Sequence, residues 1–312
     1  MAIIRRDFFL DSGKRLTEQE RALLTAMLQD VVGTMVVAVR AVGGFNLDPP
    51  ATARIADRLR GAGLLDRIDF MRLMLRRADE QRIQTIFAGH NDPRRLPMLP
   101  KLVGDSDPAV AAAAMALVVA RGRRRDGFGR PRIELSDLKR HDASALAHGV
   151  AAALSPSPTA DNSFATAATQ VVEGIDPSES LDHAVGALID LLHRAGRADD
   201  AFVEAASAEG EVTLVAMLIA RRAGINQPTV WDHLVNAGEG GLALVTRMAG
   251  FSRPTAARLI ADLGSTAGSG SVEDEIARYD ELGATDVQAA LRYWQLPPDY
   301  RAAVRDLGGH DG

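Results

Sequence analysis

Six arginines fall within twelve residues: Arg121, Arg123, Arg124, Arg125, Arg130 and Arg132. A guanidinium offers a planar fork of N–H donors that matches phosphate or carboxylate bidentately. The run is therefore a candidate patch for nucleic acid, a nucleotide or a phosphorylated partner. Phe128, set between two glycines, can stack on a base or pack locally. Arg76-Arg77 and Arg94-Arg95 extend the patch if the fold gathers them. The competing reading is a solvated loop holding a few ion pairs.

A second candidate is a repeated corner. Ala223-Gly224-Ile225-Asn226-Gln227-Pro228-Thr229 returns 26 residues later as Ala249-Gly250-Phe251-Ser252-Arg253-Pro254-Thr255. A glycine just past a helix end takes the left-handed conformation at low cost, and the apolar residue after it packs back on the last turn. Asn226 or Ser252 then caps the next helix, with Pro228 or Pro254 in its first turn. Gly224, Pro228, Gly250 and Pro254 thus read as joints between stacked helices. The same spacing fits a DNA-binding helix-turn-helix, with Ala220, Gly224 and Val230 at the small, turn and buried positions. Asn226 and Gln227 would then face adenine, and Arg253 guanine. Asp232 on the would-be reading helix counts against it, as does an acidic setting where phosphate contacts are needed.

Other chemistry is sparse. Cysteine is absent, which removes disulfides, zinc ribbons and thiol catalysis. Asp182-His183 and His193 sit too far apart on one helix to share a metal, and His141 and His148 face one way without a carboxylate pair at ligand spacing. Glu273-Asp274-Glu275 opens a helix, where acids complement the dipole. Gly238-Glu239-Gly240-Gly241 is a helix–helix turn with no strand before it. No catalytic residue, cofactor or metal ligand is assigned, and the expectation is that the chain is not an enzyme. Trp231, Tyr293 and Trp294 are large rings in a chain with only 4% aromatics, and such rings favour interfaces. For Trp231 the core is the stronger reading.

These residues must be placed by helices, because no alternating strand pattern persists and Ala, Leu, Val and Arg dominate. Thr17-Glu18-Gln19-Glu20 is a capping box ahead of apolar residues at 24, 27, 28, 31, 32, 35, 36 and 39. The opposite face (Ala22, Ala26, Gly33, Val37, Ala38) is also small and apolar, which suits a central helix or a homodimer. Gly43-Gly44 ends this helix and Asp48-Pro49-Pro50 opens the next. Further helices are expected at about 50–62, 66–87, 96–103, 108–121, 143–154, 162–173, 179–194, 199–208, 211–222, 228–236, 240–249, 254–263, 272–281 and 285–295, as order-of-residue boundaries. Pro297-Pro298 leads into a short tail. Asp92-Pro93 and Asp107-Pro108 corners give a HEAT-like hairpin, 121–132 is a loop, and 264–270 is a flexible linker.

A soft boundary at Ser155–Thr159 separates a basic region, 1–154, from an acidic one, 159–312, unless the two form one continuous superhelix. Residues 1–150 hold 25 basic and 18 acidic side chains, a net +7, and the remainder 11 and 23, a net −12. Halves of opposite sign suggest surfaces with different partners or attraction between molecules, and the alternative is a drift of solvated faces along a helical array. Met1 to Asp7 is too short before its charges to be a secretory signal, and Val31–Val39 too short to span a bilayer, so a cytoplasmic protein without a membrane partner is expected.

Two stretches resemble the alphaproteobacterial family catalogued as domain of unknown function 2336: Arg15–Leu24, and Ala195-Gly196-Arg197 through Leu214–Ala220 to Ala223-Gly224-Ile225 and Ala249-Gly250-Phe251. The resemblance spans about residues 14–264 and implies an all-helical, HEAT-like domain with no established activity. The fold expected is all-α, an α-α superhelix of HEAT-like repeats. The function expected is a non-catalytic scaffold or adaptor for another protein, in bacterial signalling or regulation. The alternative is nucleic-acid or nucleotide binding through the arginines or the helix-turn-helix-like units. A base-modifying enzyme stands third, and requires a buried carboxylate beside the Arg-rich face.

Overall fold

The computed structural model describes residues 17–46, 52–88, 96–155, 162–236, 240–264 and 271–308. Among them the regular elements are helical, and a single isolated β-bridge joins Arg125 and Pro131. In chain order the helices begin with α1 (Glu18–Gly43), α2 (Thr52–Gly61), α3 (Ile68–Ala88), α4 (Met98–Val103), α5 (Pro108–Arg123) and α6 (Arg140–Leu154). Next come α7 (Ser163–Glu173), α8 (Leu181–Arg194), α9 (Asp200–Ala208), α10 (Val212–Ala223) and α11 (Gln227–Trp231). The last are α12 (Gly241–Met248), α13 (Arg253–Gly264), α14 (Val272–Glu281), α15 (Ala284–Gln295) and α16 (Pro298–Gly308). The protein is all-α. The expected corners at Asp48-Pro49-Pro50 and Asp92-Pro93, the pair Arg94-Arg95, Gly238-Glu239 and the linker 265–270 lie outside the described residues.

The chain divides into two compact units. One takes the described residues up to Gln81 together with Ala116–Ala184, the other Arg82–Met115 together with the described residues from Val185 on. Helices α6 and α7, which flank the expected boundary at Ser155–Thr159, belong to the same unit.

In the first unit α1 starts on its capping box: the Thr17 hydroxyl accepts from the Glu20 amide at 3.2 Å, and Glu20 Oε2 accepts from the Thr17 amide at 2.7 Å. Leu24, Met27, Leu28, Val31, Val32, Met35, Val36 and Val39 form its buried stripe, packed on α2, α6 and α7. Burial of each such side chain is worth about 1.5–3 kcal/mol. Residues 20–43 prove long and apolar enough to cross a bilayer by length and composition, more than Val31–Val39 alone suggests. On the other face Ala22, Ala26 and Val37 are exposed, while Gly33 is met by Thr52 of α2. Phe45 and Phe164 stack with centroids 4.0 Å apart and close the end of this core.

The second unit packs α9 on α13, α10 on α11, and α12 on α13, α14 and α15. Polar side chains from distant helices tie its corners. Glu275 accepts from the Ala243 amide at 2.9 Å and from the Gly240 amide, so its carboxylate caps α12 from α14. Tyr279 is buried and donates to the Phe251 carbonyl at 2.8 Å. Residues expected as one helix at 228–236 are split, with α11 giving way to a π-turn at Asp232–Asn236. The expected tail after Pro297-Pro298 is instead α16, with Pro298 at a first helical position that lacks no amide bond.

Candidate functional site

The arginine run does not form a free patch. Arg124 is buried, and its fork is filled: Nε and Nη2 donate to Asp137 at 2.7 and 2.8 Å, Nη1 to the Ala120 carbonyl at 2.9 Å, and Nη2 also to the Glu179 carbonyl at 3.0 Å. This corrects its reading as an anion donor. Arg132 pairs with Asp30 of α1 at 2.8 Å and is held more strongly protonated by it. Arg130 pairs with Asp126 at 2.8 Å, Arg123 lies 3.8 Å from Glu179, and Arg125 donates to Gln81 at 3.2 Å and to the Gly129 carbonyl at 3.1 Å. Arg121, in the last turn of α5, is half-buried.

Arg124 opens a larger buried ion network. Arg77 donates to both oxygens of Glu80 at 2.9 and 2.7 Å and lies 3.7 Å from Asp137, which is only 1% exposed. Arg76 bonds Glu80 at 3.1 Å and grips Asp182 with both terminal nitrogens. Asp137 also accepts from the Leu181 amide at 3.0 Å and the Glu134 amide at 3.3 Å. Three guanidinium groups thus meet three carboxylates, from α3, the end of α5, the turn at Leu135–Asp137 and the start of α8. Burial works against the Asp182 charge, yet Arg76, Arg77 and Arg124 hold its carboxyl below the ordinary range. Burial likewise opposes the Arg77 charge, and Glu80, Asp137 and Asp182 overcome it. A buried carboxylate does lie beside the arginines, but Asp137 spends its oxygens on two guanidiniums and two amides. The network binds four segments together.

The corners have the geometry of helix joints. Gly224 has φ +64° and Gly250 φ +67°, and Ile225 and Phe251 are buried behind them. The Asn226 side chain accepts from the Thr229 amide at 2.9 Å, and Ser252 accepts from the Thr255 amide at 3.4 Å. Asp200 joins the two units of the repeat, accepting from Arg222 at 2.8 Å and from the Ser252 amide at 3.1 Å. Burial opposes its charge, and those bonds keep its carboxyl low. Gln227 is 7% exposed, Thr229 and Val230 are buried beside it, and Arg253 is held bidentately by Asp280 at 2.7 Å. Of the would-be reading residues, Gln227 is buried in its own unit, Asn226 is exposed but spends its side chain on the cap, and Arg253 is held by Asp280, an arrangement that suits the helix joint rather than the helix-turn-helix.

Of the rings weighed as contact residues, Trp231 is 4% exposed and belongs to the core, the stronger of its two readings. Tyr293 is exposed, and Trp294 is half-buried with its ring edge-on to His233 at 4.8 Å and beneath the Arg301 guanidinium at 4.6 Å. Among the described residues neither ring nitrogen of His233 has a hydrogen-bond partner. Burial, and then the charge of Arg301, hold this imidazole below its usual pKa. Beside it lies an open cleft of about 340 Å³, walled by Leu244 and Leu282 with Glu281 and Asp286 among its polar groups.

One group of ligand-type side chains escapes sequence spacing. Asp69, at the start of α3, and Asp142 bring carboxylates to 3.4 and 3.3 Å from His141 Nε2. Spacing along the chain does not reveal this group, because Asp69 reaches His141 only through the fold. Lys139 bonds Asp69 at 2.8 Å and Arg67 bonds Asp142, so cations of the chain already balance both acids.

No curated protein and no solved structure is similar to the chain by comparison. Residues 92–292 match the model of an uncharacterised protein family conserved in bacteria, DUF2336, while Arg15–Leu24 lies outside the matched part. With well over half its length matched, this all-helical chain belongs to the DUF2336 family.

Proposed function

We propose that the protein is a non-catalytic adaptor that holds another protein on its C-terminal helices. One observation carries this reading. Among the described residues after position 128 in the chain, the exposed large apolar side chains are Tyr293, Leu296, Tyr300, Val304 and Leu307, all on α15, α16 and the link between them. Tyr300, Val304 and Leu307 recur at helical spacing on one face of α16, whereas Arg301 turns inward to the Trp294 ring. An apolar stripe gathered on one element marks a protein contact, and aromatic residues are its usual anchors. The stripe lies just beyond the residues matched by the family, so it fits a partner particular to this chain or its near kin. Helical pairs stacked as HEAT-like repeats would supply the frame.

The test is affinity capture from native extract with the wild type and with Tyr300→Ser/Leu307→Ser. The adaptor reading expects a defined set of proteins retained by the first and lost from the second. We also place the adaptor in the cytoplasm, since the apolar stripe of α1 is taken up within its own unit.

A second reading, single-stranded nucleic-acid binding at 121–132, is favoured by the 85% exposure of Phe128 beside the exposed Arg123 and Arg130. It is weakened by carboxylates that already occupy those arginines. Retardation of single strands at low salt, abolished by Phe128→Ala, would support it.

A further inference from the structure

We propose that one copy of this chain docks on a second by inserting its Phe128 turn into the cleft between Leu244 and Leu282 of that copy.

The turn is built to present its ring. The Asp126 amide donates to the Arg130 carbonyl and the Gly129 amide to the Asp126 carbonyl, each at 2.9 Å. The Asp126 carboxylate accepts from the amides of Phe128 and Arg130 and from Arg130 Nε, each at 2.8 Å. Five hydrogen bonds therefore fix five residues, and the ring they carry makes no apolar contact deep enough to hide it. A hydrophobic anchor held rigid in advance loses little entropy on binding. Arg130 stands 5.2 Å from the ring centroid, and Arg123 is more than half exposed nearby in sequence. Val118 and Val119, on the last turns of α5, add exposed apolar surface.

The cleft offers the complement. Its volume of about 340 Å³ is more than twice the roughly 150 Å³ that suffices to take a benzene ring. Leu244, Leu282 and the His233 ring line it, with Gly240 and Gly241 at its edge. Glu281 and Asp286 stand among its lining and make no ion pair among the described residues, while Arg278 is the cation of the lining. Glu273 and Asp274 make the same helix, α14, strongly acidic. A ring beside two exposed arginines, each also paired with a carboxylate of its own chain, thus meets an apolar recess edged by Glu281 and Asp286. Each copy carries both anchor and cleft, so the contact joins two different surfaces.

Sedimentation velocity of the full chain tests this. The wild type should gain mass with concentration at about 50 mM salt and lose that gain at about 500 mM, where charge attraction is screened. Phe128→Ser and Glu281→Arg/Asp286→Arg should each weaken association at least about tenfold, a hot-spot effect. Mixed in equal amounts, these two should form a dimer and stop there, because one intact anchor and one intact cleft remain. The substituted side chains are exposed, and circular dichroism checks each fold. The proposal is overturned if the wild type stays monomeric throughout, if either variant associates like the wild type, or if the mixture stays monomeric. A monomeric chain that binds single-stranded nucleic acid only with Phe128 intact also overturns it. None of these failures bears on the α16 stripe, so the adaptor reading stands or falls separately.

Discussion

Replacing Asp137 by asparagine would leave Arg77 and Arg124 buried with one carboxylate fewer between them. Breaking a buried ion pair from one side costs about 3–5 kcal/mol, so Asp137→Asn should lower the urea midpoint well below that of the wild type. At the surface, Asp105 is held at about 2 by hydrogen bonds from Arg197 and from the Asp107 amide. Its folded pKa lies below the unfolded one, so the link stabilises fully above the ordinary aspartate range and is lost as pH falls through about 2. In Arg197→Ala the Asp105 carboxyl should titrate closer to its ordinary value, as NMR of the side chain would show. What could be read from sequence at this scale follows from distance along the chain. Thr17 with Glu20, and Asn226 with Thr229, are neighbours whose chemistry declares itself. Arg76 finds Asp182, and His141 finds Asp69, only after folding, and no local pattern names such partners.

At the scale of elements, the two corners separate two costs. Gly250 has open space where a Cβ would stand, so Gly250→Ala should cost only the left-handed strain of about 1–2 kcal/mol. At Gly224 the new methyl would also press on the Gln295 amide at 3.2 Å, which donates to the Ala223 carbonyl. Gly224→Ala should therefore be the more destabilising in thermal unfolding and should loosen α15. The π-turn gives a pH effect. His233 has a folded pKa below its unfolded one, so stability is full above the ordinary histidine range and declines as pH falls beneath it. Urea unfolding followed by tryptophan fluorescence should show that decline, and His233→Phe should flatten it. Helix existence was legible from apolar spacing and from Gly, Pro and Asn punctuation. The π-turn was not, because its residues keep an ordinary helical pattern. Nor was α16, where Pro297-Pro298 reads as a break although the second proline starts a helix.

For the whole molecule, the sequence told of helices and of charge polarity, and family membership followed from residues 92–292. It could not tell that Arg132, Arg124 and Arg123 meet carboxylates, because Asp30, Asp137 and Glu179 come from separate elements. Nor could it tell that α16 turns Tyr300, Val304 and Leu307 outward, since an apolar stripe looks the same facing a core or facing water. The central claim is that this outward stripe holds a partner protein. Quantitative affinity capture from native extract, comparing wild type with the folded Tyr300→Ser/Leu307→Ser variant, tests it most directly. The account predicts a small set of proteins enriched on the wild type and lost from the variant. Identical sets on both would contradict it.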